Sequence, residues 1–561
     1  MSLAKITSIF SVVLLASGTL SPAQAFCGFY AGKADATLFN EASQVVIARD
    51  GNRTVLSMSN DYRGPLTEFA LIVPTPVVLQ QGQVRVLDRV AFERLDAYSS
   101  PRLAEYYDAD PCETHFSWGQ DVRPRLYEMA RAAVPTRASA GAARDKALGV
   151  TVEARYTVGE YDIVSLSAKQ SDGLETWLRE NGYRIPRGAS AALKPYINQG
   201  MKFFVAKVDL KEQQKTGYSM LRPLQFAFES EKFMLPMRLG MLNAPPDKAQ
   251  DLIIYILTRQ GRVESSNYRT VKLPANVNLP DFIKPKFQDF YKAMYDTASK
   301  KEDYRAVFTE YFWNMSWCDP CAAAPLSRDE LKDSGVFWLD GDVEQGFRAL
   351  QNPAPQAPAP QAPAPQAPAL PRRPVPPIIG NRPQPVVLTR LHVRYTPRTF
   401  PEDLMFIETS DTQNWQARYV VQNPYGGTVA ECSERVAKMD CAAMCEQRVS
   451  QVQSLLRGGD ASFASQYRGK DSATLSSECA SSCEASKAQG LESAMRYYQK
   501  VLPERIAAEK QTLAELTGWS LHDIDAMPGA RRPNALEPGE STQASRVAAA
   551  DRSWWQKLFA R

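Results

Sequence analysis

Histidine is scarce: the 561 residues hold three, His115, His392 and His522. Neither His392 nor His522 has a neighbour at metal-ligand spacing. His115 follows Cys112 as C-x-x-H, yet no second such pair exists, and a structural zinc site needs four ligands. There is no G-x-S-x-G elbow, no H-E-x-x-H and no phosphate-cradling glycine loop, so serine hydrolase, zinc protease and nucleotide chemistry have no motif to rest on. An excess of charge of one sign is also missing. Sixty-six basic residues face 62 acidic ones, a formal net charge of +4; the basic residues are scattered, which excludes the footprint of a nucleic-acid binder. Past the N-terminus, no apolar run approaches the roughly 20 residues of a membrane-spanning helix. Carboxylates are plentiful, Glu160 and Asp162 beside Tyr161 among them, but that spacing is the ordinary look of a solvated strand face. Neither cofactor nor metal is expected, and a binding or structural role is favoured over an enzyme.

The first 25 residues read as an export signal. Lys5 supplies a positive charge, Ile6 to Leu20 is a mostly apolar core, and Ala23-Gln24-Ala25 has the small-x-small pattern of a cleavage site. A lipoprotein needs a small residue before its cysteine, and here Phe26 precedes Cys27. The expected product is a soluble mature chain starting at Phe26, periplasmic or secreted.

From 26 to 345 the chain reads as a β-rich α+β domain with an antiparallel or mixed sheet and short helices. Val45-Val46-Ile47 and Thr54-Val55-Leu56 flank Asp50-Gly51-Asn52, a hairpin turn. Strand-length apolar runs follow at Phe69–Val73, Tyr161–Val164, Lys202–Val208, Leu224–Phe228 and Leu252–Leu257. A helix is expected over Asp172–Glu180, where Leu174, Trp177 and Leu178 share a face and Trp177 anchors a core. Residues 346–385 change character: alternating Pro, Ala and Gln can form neither ladder nor helix. This is a spacer or an inserted loop. Strand signals resume over 386–427, and three strands alone make a poor core, so they are expected to return to the first domain. Residues 428–520 predict a helical hairpin: one helix over Thr428–Arg457, a break at Gly458-Gly459-Asp460, and a second over Ala473–Val501 restarted at Pro503. The tail, 521–561, is expected to be disordered. Its Trp554, Trp555 and Phe559 are candidates for weak contact with a membrane interface or a protein partner.

Nine cysteines in an exported chain point to disulfides. Cys441 and Cys445 form one C-x3-C pair, and Cys479 and Cys483 another; residues four apart share a helix face. An antiparallel hairpin sets Cys441 against Cys483 and Cys445 against Cys479. A four-thiolate zinc site is the competing arrangement. Cys27 and Cys112 are candidates to pair, which leaves Cys432 odd. Trp317-Cys318-Asp319-Pro320-Cys321 is similar to the W-C-x-P-C dithiol of the thioredoxin family. That likeness implies Cys318 as nucleophile and Cys321 as resolving thiol. It covers about ten residues, and the segment up to the proline repeats is too short for the rest of that fold. A structural bridge is the other reading, and Ala322 excludes haem attachment of the C-x-x-C-H type.

The order of segments carries a wider resemblance. FCGFYAGKADATLFNEASQVVIARDGNRTVLSMSNDY, FALIVPTP, YDIVSLSAKQSDGLETWLRENGYRIP, GMKFFVAKV, LRPLQFAFES, FMLPMRLG and WCDPC occur in that order. Together they resemble a bacterial family known as domain of unknown function 2330, over most of Phe26 to Asp342. The resemblance implies an exported protein and supplies no activity, cofactor or site residue.

Overall fold

The computed structural model describes residues 29–32, 39–63, 69–113, 150–180, 188–209, 221–243, 249–317, 319, 323–339, 341, 343–351, 386–457, 467 and 469–530. Strands Phe39–Asp50 and Arg53–Arg63 pair with Asp50 opposite Arg53, so Gly51 and Asn52 alone make the turn. Gly51 takes φ +59°, the left-handed region that a residue without Cβ enters at no steric cost.

That hairpin lies within a nine-stranded mixed sheet. From one edge the order is Arg269–Lys272, Ala306–Asn314, Val387–Tyr395, Gln250–Thr258, Phe39–Asp50, Arg53–Arg63, Leu224–Glu229 and Val84–Val86, with Trp415–Gln416 beside Ala306–Asn314. Strand Val387–Tyr395, which follows the proline repeats, is therefore central. Every residue of Gln250–Thr258 is buried, as a strand covered on both faces must be.

One face of this sheet presents Val45, Ile47, Leu252, Ile254, Leu391 and Val393 to a second, five-stranded sheet, which answers with Phe204, Ala206, Tyr161 and Ile163. Helices Ser171–Glu180 and Ala189–Asn198 cover the far side of that second sheet through Leu174, Leu178, Leu193 and Tyr196. Trp177 packs half-buried at the margin of this cluster. The other face of the large sheet presents Val46, Ile253, Tyr255, Leu257 and Leu388 to helices Val90–Ser99 and Phe287–Lys301. The layering is thus helix, sheet, sheet, helix.

The α+β body continues into a disulfide-stapled helical segment. Cys441 bonds Cys483 and Cys445 bonds Cys479, joining helices Cys441–Arg457 and Ser472–Arg496. Where one helix was expected over Thr428–Arg457 there are two, Val429–Ala437 and Cys441–Arg457. The break is local: Asp440 accepts a bond from the Ala443 amide at 3.0 Å, which starts a new helix. Downstream, Ser472–Arg496 runs through a π turn, Tyr497–Val501, into Leu502–Thr517. Pro503 sits in the first turn of that last helix, where its missing N–H is harmless.

A further correction concerns Cys112. It bonds Cys432, 320 residues away, so Cys432 is not odd and the Cys27–Cys112 pairing does not form. Cys27 lies outside the described residues, as do 352–385 and 531–561 with Trp554, Trp555 and Phe559. Residues 521–530 are folded: Leu521–Asp525 is a short helix capped by Ser520, and Ile524 and Ala530 enter the main core.

Candidate functional site

Strand Val387–Tyr395 alternates apolar and charged residues although nearly all of it is buried. Successive strand residues point to opposite faces, so Arg390, His392 and Arg394 follow Leu388 into the helix-facing core. Across one edge, Tyr255 stands opposite Arg390, Ile253 opposite His392, and Asp251 opposite Arg394. Across the other edge, the register slips between Thr309 and Tyr311. Glu310 is the extra residue of that β-bulge, a device that re-aims a side chain. Here it drops a carboxylate between two cations.

Glu310 Oε2 accepts from Arg390 Nε at 2.5 Å, and its Oε1 lies 2.6 Å from His392 Nδ1. Tyr291 also donates its hydroxyl to Oε1. On the other side of the ring, His392 Nε2 is 3.2 Å from Asp251 Oδ1. Asp251 in turn takes a bidentate pair from Arg394, at 2.8 and 2.9 Å. Helix Val90–Ser99 closes the top of the cluster: Asp96 accepts from Arg390 Nη1 at 2.7 Å and from Tyr255 at 3.1 Å. Tyr295 of the helix Phe287–Lys301 stacks on His392 with ring centres 3.8 Å apart.

Both His392 nitrogens face carboxylate oxygens, and ionised carboxylates only accept. The ring must therefore donate twice, which makes it imidazolium. Three cations (Arg390, His392, Arg394) then balance three carboxylates (Asp96, Asp251, Glu310). Burial opposes the charged form of each group. In His392 that effect is outweighed by Glu310 and Asp251, so the ring titrates above the ordinary histidine value. Burial also pushes Asp251 and Glu310 upward, yet Arg394 and His392 hold Asp251 at about 2, and Arg390 and His392 hold Glu310 at about 2.

A histidine between two carboxylates is the skeleton of a proton relay. Here His392, Asp251 and Asp96 are 1% exposed, and Arg390 and Glu310 0%. The cluster is sealed from solvent and ties both helices to the sheet, through Asp96 of one and through Tyr291 and Tyr295 of the other. The partners of His392 are 82 and 141 residues away in sequence, beyond the reach of any local motif. One signal was present: three cations at alternate positions of an otherwise apolar strand.

The second candidate is the W-C-D-P-C stretch at the end of strand Ala306–Asn314. Cys318 and Cys321 lie outside the described residues, but their surroundings do not. Trp313 Nε1 donates to the Trp317 carbonyl at 3.0 Å, and Trp317 is 62% exposed. Asp319 turns inward and accepts from Tyr311 at 3.0 Å and from Gln416 at 3.3 Å. Among the described residues the next helix is Arg328–Asp333, capped by Ser327 and Glu330; residues 323–327 precede it outside any helix. A low-pKa thioredoxin-type thiolate leans on the start of a helix.

Among the described residues, no group of three or more His, Cys, Asp or Glu is disposed to hold a metal ion, and no helix is long and apolar enough to cross a membrane. A family model described as an uncharacterized protein conserved in bacteria (DUF2330) matches residues 21–407. No curated protein and no solved structure matches the chain. The matched span stops short of the helical segment that begins at Val429.

Proposed function

Because the chain belongs to this bacterial family, whose description names no activity, we propose that it is an exported protein that binds a cell-envelope component or protein partner without catalysing a reaction. The observation that carries this reading is the set of three disulfides, Cys112–Cys432, Cys441–Cys483 and Cys445–Cys479. Such bonds persist in oxidising compartments and are rare in the cytosol. The N-terminal 25 residues, with Lys5, an apolar core and Ala23-Gln24-Ala25, supply the matching export signal. The sealing of the His392 cluster supports a non-catalytic role, because its acid–base groups are beyond the reach of a ligand.

Expression of the full chain in a bacterium, followed by fractionation and N-terminal sequencing, tests the reading. It expects a periplasmic product starting at Phe26 in which the six bonded cysteines resist alkylation before reduction. A cytoplasmic product that retains Met1 and has alkylatable thiols overturns it.

One observation favours a second reading, a thiol–disulfide oxidoreductase using Cys318 and Cys321: Trp317, next to Cys318, is exposed in the turn that follows strand Ala306–Asn314. Equilibration in glutathione buffers separates the two. A bridge titrating at about −200 to −120 mV supports the redox role, and one that resists reduction below about −300 mV is structural.

A further inference from the structure

Helix Leu502–Thr517 turns Leu502, Leu513 and Thr517 inward, with half-buried Ile506 on the same stripe. This is the i, i+3, i+4 pattern of a core-facing helix. Position 509 falls on that stripe and holds a glutamate. Glu509 is 5% exposed, and its Oε1 has no hydrogen-bond partner. Ile506, on one side, belongs to the cluster around Cys112–Cys432; Leu513, on the other, belongs to the main core.

The charges that act on Glu509 are Arg505 and Asp108. Arg505 Nε lies 3.6 Å from Glu509 Oε1, too far for a hydrogen bond. Its two terminal nitrogens each donate to Asp108 at 2.8 Å. Asp108 also accepts from Gln422 at 2.9 Å and from the hydroxyl of Tyr497 in the π turn. It is thus fully served while Glu509 is not. Lys510, next along the helix, bonds Asp525 at 2.6 Å. Strand Val277–Leu279, which packs against this helix, brings no charge. The helix Phe287–Lys301 approaches with Thr297, near Gly518, and its Asp296 engages Lys300 and Arg394.

From this arrangement we propose that the C-terminal helices are docked by a proton-held latch: the helix Leu502–Thr517 sits tight while Glu509 is protonated and loosens when it ionises. On ionisation the carboxyl O–H bond breaks, the proton passes to water, and the electron pair stays on a carboxylate in an apolar seam. Arg505 cannot give the same fork to two carboxylates. Either Asp108 loses its bidentate partner or the helix lifts to admit water. Asp108 follows strand Arg102–Tyr107 of the body, so both responses weaken the joint. The Cys112–Cys432 bond spans the same joint and keeps the loosening local.

Burial pushes the Glu509 carboxyl up to about 7, against a partial offset from Arg505. The same group in an opened helix titrates near ~4.3. The closed form therefore holds more protons between those values, and stability of the joint falls as pH rises across that window. Above it the effect levels off.

Amide hydrogen exchange on the full mature chain, corrected for intrinsic rates, reads the latch. Protection over 502–517 is expected to fall at least about tenfold between pH 5 and pH 7 and to change little above. The Glu509→Gln variant, which mimics the protonated form, should keep a flat profile at the high-protection level. Glu509→Met serves the same end if the amide disturbs folding. Asp108→Asn removes a charge that raises Glu509 and frees Arg505 to pair with it, so it should lower protection at pH 5 and shrink the further loss between pH 5 and pH 7. Superimposable profiles for the parent and both position-509 variants overturn the proposal. So does an equal loss of protection in strand Val387–Tyr395, which would mark global unfolding.

Discussion

The layered body and the helical hairpin are held together in opposite ways. In the body, two sheets and the helices on either side bury three large apolar clusters, enough to carry six charged side chains of the His392 network in the interior. The hairpin buries Cys441, Cys445, Val449, Val452, Tyr467, Leu475, Cys479 and Cys483, so half of its core is cysteine. Small units cannot remove enough apolar surface from water to offset chain entropy, and covalent bonds stand in for the missing core. The contrast implies that apolar burial, with the charged network satisfied inside it, should govern the body's stability and redox state the hairpin's.

The largest effect is expected from Glu310→Ala, which leaves Arg390 and His392 facing a buried gap. Breaking a buried pair from one side costs about 3–5 kcal/mol, read as a drop in the denaturant midpoint of the body. Glu310→Gln keeps the shape and should cost less. A loss below about 1 kcal/mol for the alanine variant would mean that the network contributes little and apolar packing alone holds the sheet to its helices.

Next comes the hairpin. Chain-entropy reasoning gives about 4 kcal/mol for a closed loop of about 40 residues, and the two bridges share most of their loop. Replacing Cys441, Cys445, Cys479 and Cys483 with serine should strongly lower, without abolishing, exchange protection over 441–457 and 472–496 while the body's melting transition stays within a few degrees. Melting of body and hairpin together would break the comparison, since it would make the hairpin a cooperative part of the core.

Acid and base should then act on the body from opposite sides. Asp251 and Glu310 titrate in the folded state at about 2, below their ordinary values near ~4. Their contribution is present above about 4 and is lost as pH falls towards 2. His392 is raised above its ordinary value, so its contribution is full below about 6.5 and fades as pH rises through the folded value. Denaturant midpoints measured across pH should therefore pass through a maximum. Replacing His392 with Asn should flatten the alkaline side and, because His392 also holds Asp251 and Glu310 low, soften the acid side as well.

What the sequence made legible is what short-range spacing decides. The turn at Gly51-Asn52, the strand runs and the two C-x3-C pairs depend on residues within a few positions of each other, and the hairpin pairing follows from helix periodicity plus one reversal of the chain. The His392 cluster and Cys112–Cys432 depend on partners 80 to 320 residues apart, and no local pattern encodes such distances. Glu310 was hidden twice. Strict alternation along Ala306–Asn314 does not show the bulge that turns its side chain inward, and a lone glutamate in a strand ordinarily means solvent. The split of Thr428–Arg457 failed for another reason: Asp440 is a cap residue inside a run whose periodicity continues on both sides.

That cap offers the smallest test and the sharpest one for the hairpin. Asp440→Ala removes the acceptor for the Ala443 amide, at a typical cost of about 1 kcal/mol. Within the stapled hairpin, helix Cys441–Arg457 has its first turn fixed by the Cys441–Cys483 bond, so the helix end can fray very little. Exchange at the first amides of that helix should rise severalfold, with no change beyond Val449. In the four-serine background the same substitution should propagate, lowering helicity across the whole of 441–457. An equal, local response in both backgrounds would mean that the disulfides do not set the helix boundary and that apolar contacts around Val449 and Val452 already hold the hairpin.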